Sequence, residues 1–204
     1  MRVLIACEVS GIVRDAFTRE GHMAVSCDLK PTEAPGEHYQ GDVRKILDLG
    51  WDLMIAHPPC THLAVSGARW FEAKTTEQIE ALEFVKLLMA APIEKIAIEN
   101  PVSIISTHIR KPKQIIQPYE YGHDASKRTC LWLQNLPYLY ATKYIRPRIV
   151  RGQERWANQT DSGQNKLGPS EERAALRAET YPGIAEAMAR QWGTTGEEDD
   201  GYTV

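Results

Sequence analysis

The residue type most open to chemistry is the cysteine in Asp52-Leu53-Met54-Ile55-Ala56-His57-Pro58-Pro59-Cys60-Thr61-His62-Leu63-Ala64-Val65-Ser66-Gly67. The apolar run Leu53 to Ala56 reads as a short buried strand, and two prolines stop it because they cannot continue a sheet ladder. Cys60 then stands at a strand's C-terminal end, the edge where open α/β sheets bind ligands. A thiol on a rigid Pro-Pro turn, followed by the small residues Ala64 to Gly67, fits a nucleophile under a mobile loop. The competing reading is a structural thiol, because free cysteine packs as a small hydrophobe. A second chemistry-bearing strand end is Glu99-Asn100-Pro101, directly after the apolar Lys95 to Ile98. If the two strands are parallel neighbours, Cys60 and Glu99 stand side by side over one crevice. His57, Cys60 and His62 lack a second ligand cluster, so no metal is expected.

These groups need a sheet to hold them. Arg2 to Ala6 reads as a first strand and Glu8-Val9-Ser10-Gly11 as a turn. Ile12, Val13, Ala16 and Phe17 then recur at helical spacing up to a C-capping Gly21. Met23 to Ser26 reads as a second strand, closed by Cys27-Asp28. That strand, turn, helix, strand, acid order suits an adenosine-containing cofactor, with Asp28 placed for ribose hydroxyls. A plain tight connection is the alternative, since the turn has one glycine only. Pro31 to Tyr39 reads as loop. Asp42 suits an adenine amino group or, equally, the N-cap of a short helix through Leu47. Thr75 and Gln78 form a capping-box pattern. The helix they open carries Ile79, Leu82, Phe84, Val85, Leu88 and Met89 on its inner side and ends at Pro92. Ile115 to Gln117 and Thr129 to Leu133 read as strands, Pro169-Ser170-Glu171-Glu172 as the start of a capped segment, and Tyr181 to Trp192 as a closing amphipathic helix.

The chain has 204 residues, 43% hydrophobic and 25% charged, which suits one domain with a full core. Its net charge of -3 argues against a basic footprint over the whole surface. Lys111, Lys113, Lys127, Arg128, Lys143, Arg146, Arg148, Arg151 and Arg155 nevertheless gather in the second half. Arg146, Arg148, Arg151 and Arg155 with Trp156 suit phosphates and a base, or a solvated basic face. Trp70 and Phe71 suit a wedge into a duplex or a closure over the core. Four widely spaced cysteines without a CxxC pair read as free thiols. No apolar run approaches the roughly 18 residues of a membrane helix. The N-terminus is too briefly apolar for a signal peptide. A cytoplasmic protein without a membrane partner is expected.

In the order of these motifs the chain resembles the DNA (cytosine-5)-methyltransferase family over about residues 3 to 192. Glu8-Val9-Ser10-Gly11 is similar to the family's cofactor turn, and Asp28 and Asp42 to its second and third acids. Pro59-Cys60 with Ser66-Gly67 resembles the nucleophile motif and its mobile loop. Glu99-Asn100-Pro101 resembles Glu-Asn-Val. Tyr121-Gly122 with Ser126-Lys127-Arg128-Thr129-Cys130 resembles the late Gln-x-Arg-x-Arg segment, with Thr129 or Cys130 where the second arginine stands. Pro182-Gly183-Ile184-Ala185 is similar to the closing motif beside the cofactor.

The resemblance implies a Rossmann-like α/β methyltransferase fold, mostly parallel, with helices on both faces. It implies a catalytic domain from residues 1–135 and 169–193, a reduced target-recognition insertion at 136–168 and a disordered acidic tail at 194–204. It implies S-adenosylmethionine as cofactor, held by Glu8, Ser10, Gly11, Asp28, Asp42 and Pro58. Cys60, Glu99 and Arg128 would be catalytic, with Pro59, Ser66, Asn100 and Lys127 at the substrate. The partner would be DNA in a bacterial or phage-infected cell, with so short an insertion that specificity is loose or supplied by a protein partner or second copy. Single-stranded DNA or a free nucleotide is a smaller substrate for the same chemistry. Two other classes remain open. His57-Pro58-Pro59-Cys60 has the shape of the turn in amino (N4 or N6) methyltransferases, except that Cys replaces the aromatic. A catalytically idle, nucleic-acid-binding relative of the fold is the third.

Overall fold

The computed structural model describes residues 1–65, 75–168 and 179–194. The expectations for Ser66, Gly67, Trp70, Phe71, the segment from Pro169 and the acidic tail beyond residue 194 lie outside the described residues.

Strands buried on both faces must be apolar throughout, and the two central ones obey this. Strand β1 (Arg2–Ala6) is fully buried after its first residue, and all of β4 (Leu53–Ala56) is. Around them the sheet gathers β2 (Met23–Asp28), β3 (His38–Gln40), β5 (Lys95–Pro101), β6 (Gln114–Ile116) and β7 (Thr129–Gln134). The order is β3-β2-β1-β4-β5-β7-β6. Strands β3 to β5 of that row are parallel, while β7 runs antiparallel to both β5 and β6. The chain walks outward from β1 to β3 and then returns to the other side of β1. That reversal puts a topological switch point, the place where open α/β sheets bind ligands, at the C-terminal ends of β1 and β4.

Helices cover both faces. Helices α1 (Ile12–Arg19) and α4 (Pro182–Trp192) pack Val13, Phe17, Ile184, Met188 and Trp192 on one face. Helices α2 (Thr75–Met89) and α3 (Ile105–His108) pack Leu82, Val85, Leu88 and Ile105 on the other. Helix α4 opens with Pro182 at its first turn, where the missing N–H costs nothing. Gly183 follows because a Cβ there would lie 2.0 Å from the Tyr121 carbonyl oxygen.

Several local expectations are corrected. His38–Gln40 is a strand rather than loop, formed by pairing at the sheet edge against Ser26, Cys27 and Asp28. Strand β5 continues through Glu99 and Asn100, because β7 pairs with it as far as Pro101. The short helix after Asp42 is a single 3-10 turn, Val43–Lys45. Ile79 does not face inward: it is exposed, and Phe84 and Met89 are only partly covered. Residues 136–168, poorly periodic in sequence and expected as a small irregular insertion, are not wholly irregular. Leu136 and Leu139 belong to the main core, and Arg148–Val150 and Gln153–Arg155 form a hairpin, β8–β9.

Candidate active site at the ends of β4 and β5

Parallel pairing of β4 with β5 matches Ala56 to Ile98. One residue further on, His57 therefore meets Glu99. Its Nδ1 lies 2.8 Å from Glu99 Oε2, with both side chains about nine-tenths buried. A carboxylate only accepts, so Nδ1 carries the shared proton. Burial alone would raise the Glu99 pKa. The hydrogen bond and charge of His57, with a smaller contribution from the Lys127 charge, outweigh it and hold the carboxyl below its ordinary range. The expectation that Cys60 and Glu99 stand directly side by side is thus refined: the strands are neighbours as expected, but His57 is the residue facing Glu99.

Cys60 sits half-buried at the end of the Pro58-Pro59 turn. Asn100 Nδ2 donates to the Pro58 carbonyl at 2.8 Å, tying the thiol's turn to the strand that carries Glu99. Beyond the thiol, Leu63 and Ala64 donate to the Cys60 carbonyl. The chain then bonds back to the segment after β5, Val65 N to Val102 O at 3.1 Å and Ile104 N to Leu63 O at 3.0 Å. Pro58 is buried within this junction and Pro59 is exposed above it. Six buried side-chain nitrogens or oxygens lack a partner among the described residues. Four of them, His57 Nε2, His62 Nδ1, Asn100 Oδ1 and Ser103 Oγ, fall on these two segments. Buried polar atoms are normally paired, so a cluster of orphans marks a place that awaits hydrogen-bonding company.

The neighbouring edge, at β1 and β2, holds the residues expected for a cofactor, and their engagements differ. Glu8 accepts from the backbone of Val13 at 2.7 Å and Arg14 at 3.2 Å, and Ser10 Oγ lies 3.4 Å from it. Its carboxylate thus covers the positive end of α1. Gly11 adopts φ 74°, the left-handed region that glycine enters without strain. Asp28 gives only Oδ1 to the Lys30 N–H, leaving Oδ2 open among the described residues. Asp42 is the N-cap of the 3-10 turn and both its oxygens are held by Arg44. Its hydrogen bonds to Arg44 hold it below its usual pKa. Of the two readings of Asp42, the cap is what the geometry displays.

Other thiols along this edge differ in kind. Burial, assisted by the Asp28 charge, pushes Cys7 and Cys27 up to about 12, which leaves them protonated and poorly nucleophilic.

On the far side of β5, the cation felt by Glu99 is Lys127 rather than Arg128. Lys127 Nζ donates to the Glu179 carbonyl at 3.0 Å and lies over the Tyr181 ring. Arg128 is exposed and lines an open groove on the outer side of β7. Trp156 is not available to stack on a base, because it is buried against Tyr119 with ring centroids 4.2 Å apart. Arg148 pairs with Asp161 at 2.6 Å, and Arg155 bonds to the carbonyls of Glu154 and Asp161.

Two residues of consequence were not singled out by sequence reasoning as part of this site. His57 carried a signal, its place one residue beyond the expected strand, but the register that brings it to Glu99 is tertiary. Arg14 carried none. It is wholly buried, bonded to Asp15, Ser26 Oγ, Thr32 Oγ1 and the carbonyls of Ala34 and Pro35, and it anchors the loop beside Asp28. No protein-family model matches the chain, and no curated protein is significantly similar to it.

Proposed function

We propose that this protein transfers a methyl group from S-adenosylmethionine to C5 of cytosine in DNA, through a covalent adduct on Cys60. One observation carries the reading: the Asn100 bond to the Pro58 carbonyl joins the thiol's turn to the strand bearing a buried, His57-paired Glu99. Cytosine C5 is too weak a nucleophile to take the methyl group unaided. The Cys60 thiolate adds at C6, and the electron pair moves to make C5 nucleophilic. The proton on His57 Nδ1 passes by way of Glu99 to N3 as that pair shifts. After methylation a water takes the proton from C5, the freed electron pair re-forms the ring double bond as Cys60 leaves C6 as thiolate, and the N3 proton returns through Glu99 to His57. The unpartnered Asn100 Oδ1 and His57 Nε2 are available to the polar edge of a base, which must leave its stack to reach them.

The residues at the ends of β1 and β2 fit the methyl donor. The Gly11 turn brings backbone close to the crevice, and the open Asp28 Oδ2 suits a ribose diol. When bound there, the donor supplies an electrophilic methyl on a sulfonium. Arg14 keeps the adjoining loop in place and Pro58 forms the floor. A strand order with its switch point at β1 and β4 supports a methyltransferase-type fold.

The test is a DNA carrying 5-fluorocytosine, incubated with donor and protein. Fluorine cannot leave C5 as a proton does, so the adduct persists and peptide mapping should place it on Cys60. Cys60→Ala should form no adduct and lose methyl transfer by more than about 10³-fold. Undiminished methyl transfer by Cys60→Ala would overturn the reading.

A further inference from the structure

The basic residues of the second half separate into two groups. On the β8–β9 hairpin, Arg148 and Arg155 are engaged within the hairpin and its neighbouring loop. Along the edge of the sheet, Lys111, Lys113 and Arg128 are all exposed, and none has an ion-pair partner among the described residues. These three line one open groove of about 430 Å³, together with Val102, Ser106 and Cys130. Among the described residues no acidic and no aromatic side chain lines it.

The groove's place relative to the candidate site follows from strand register. Thr129 pairs with Pro101, so Arg128 and Val102 stand one residue beyond the last β5–β7 pair. Glu99 lies two residues before Pro101 on the same strand. Val102 also accepts from Val65 N, on the segment leaving Cys60. One wall of the groove is therefore bonded to the segment that leaves the candidate nucleophile.

We propose that this groove holds the sugar–phosphate backbone of the DNA strand that carries the target cytosine. The inference rests on the methyl-transfer reading for which base is delivered, but the binding surface stands on its own chemistry. Three cations around one groove, without ion-pair partners among the described residues, suit neighbouring phosphates, and Ser106 adds a hydroxyl for a phosphate oxygen. Its cationic and aliphatic lining among the described residues fits a track for backbone rather than a platform for stacked bases. A free nucleotide would leave most of the groove unused, so the proposal favours a polynucleotide substrate. It also moves the nucleic-acid surface from the hairpin, where the sequence gathers its arginines, to the sheet edge.

The experiment measures binding of a fluorescein-labelled single-stranded 12-mer, and of its duplex, by anisotropy across a salt series, without methyl donor. Lys111→Ala/Lys113→Ala should weaken binding at least about five-fold. It should also flatten the log–log salt slope by about 1.4 for the single strand, at about 0.7 per lost phosphate contact. Arg146→Ala/Arg151→Ala, two exposed arginines just before the hairpin and in its turn, should bind like wild type. Lys111→Glu/Lys113→Glu should exceed the alanine effect, and equal urea midpoints certify that each variant is folded. Wild-type affinity and slope in both lysine variants would overturn the proposal, as would equal weakening by the hairpin pair or no DNA binding at all. The Cys60 adduct is scored separately. DNA binding lost with the lysines but no adduct in wild type sinks the methyl-transfer reading alone, whereas an adduct with lysine-independent binding sinks the groove alone.

Discussion

The β4–β5 junction and the β8–β9 hairpin both drew attention for polar residues, and the structure treats them oppositely. At the junction, polar side chains are buried and incompletely bonded: among the described residues His57, Asn100 and Ser103 each have an atom without a partner. At the hairpin, charged side chains are exposed and bonded to their own neighbourhood, Arg148 to Asp161 and Arg155 to local carbonyls. Its one orphan, Trp156 Nε1, belongs to a ring stacked on Tyr119. Burial without satisfaction carries a free-energy cost of about 1–3 kcal/mol per group, which a fold retains only if something offsets it. Exposed charge carries no such cost and so says little by its count. The contrast teaches where to look for chemistry: at the unfilled hydrogen bond rather than at the dense charge.

Three substitutions break or sharpen that contrast. The largest effect on stability is expected from His57→Ala. It leaves the Glu99 carboxylate buried without its partner and should cost about 3 kcal/mol near pH 7. The sign with pH is distinctive. In wild type, Glu99 titrates below its ordinary 4.5, so the pair's contribution is present above that pH and is lost as pH falls through the folded value. In the variant, burial raises the Glu99 pKa, so protonation relieves the damage. The gap between wild-type and variant urea midpoints should narrow from about pH 7 to about pH 4, and a constant gap would show that the pair is not ionised.

Asn100→Ala comes next. It frees the Pro58 carbonyl and should cost about 2 kcal/mol. It should also lower the rate of 5-fluorocytosine adduct formation more than it lowers cofactor affinity, because it loosens the thiol's turn and not the β1–β2 end. Equal losses in both would mean that the bond is merely structural. The smallest effect is expected at Arg148→Ala, where an exposed ion pair is removed. The urea midpoint should move by no more than about 0.5 kcal/mol equivalent. A loss as large as that of Asn100→Ala would erase the distinction between the two regions.

Much of the frame is legible in residue order because its signals are local. Runs such as Val3-Leu4-Ile5-Ala6 and Leu53-Met54-Ile55-Ala56 can only be buried strands. Tyr181-Pro182 announces the start of the last helix. Strand β3 was missed because His38-Tyr39-Gln40 has no apolar run and is a strand solely through its neighbour. Ile79 was misplaced because a helix spacing pattern does not say how wide the covered stripe is. At the site, Cys60, Glu99, Asn100 and Asp28 stood out as chemistry-bearing residues at strand ends, whereas Arg14 reads as one more polar residue on an amphipathic helix. Its burial depends on Gly11 and Gly36, where a Cβ would come within 2.3 Å and 2.6 Å of the guanidinium.

By itself, then, the sequence determined the alternating strands and helices and the polar residues left where apolar runs stop, because those follow from periodicity and from proline's missing N–H. Only the tertiary structure decided which of those residues meet. The β4–β5 register aligned His57, rather than Cys60, with Glu99. The β5–β7 pairing set Arg128 at the mouth of a groove instead of beside the carboxyl. Packing on Tyr119 withdrew Trp156 from solvent. Each outcome turns on a pairing between segments tens of residues apart, and a shift of one residue in register would have turned every side chain involved to the opposite face.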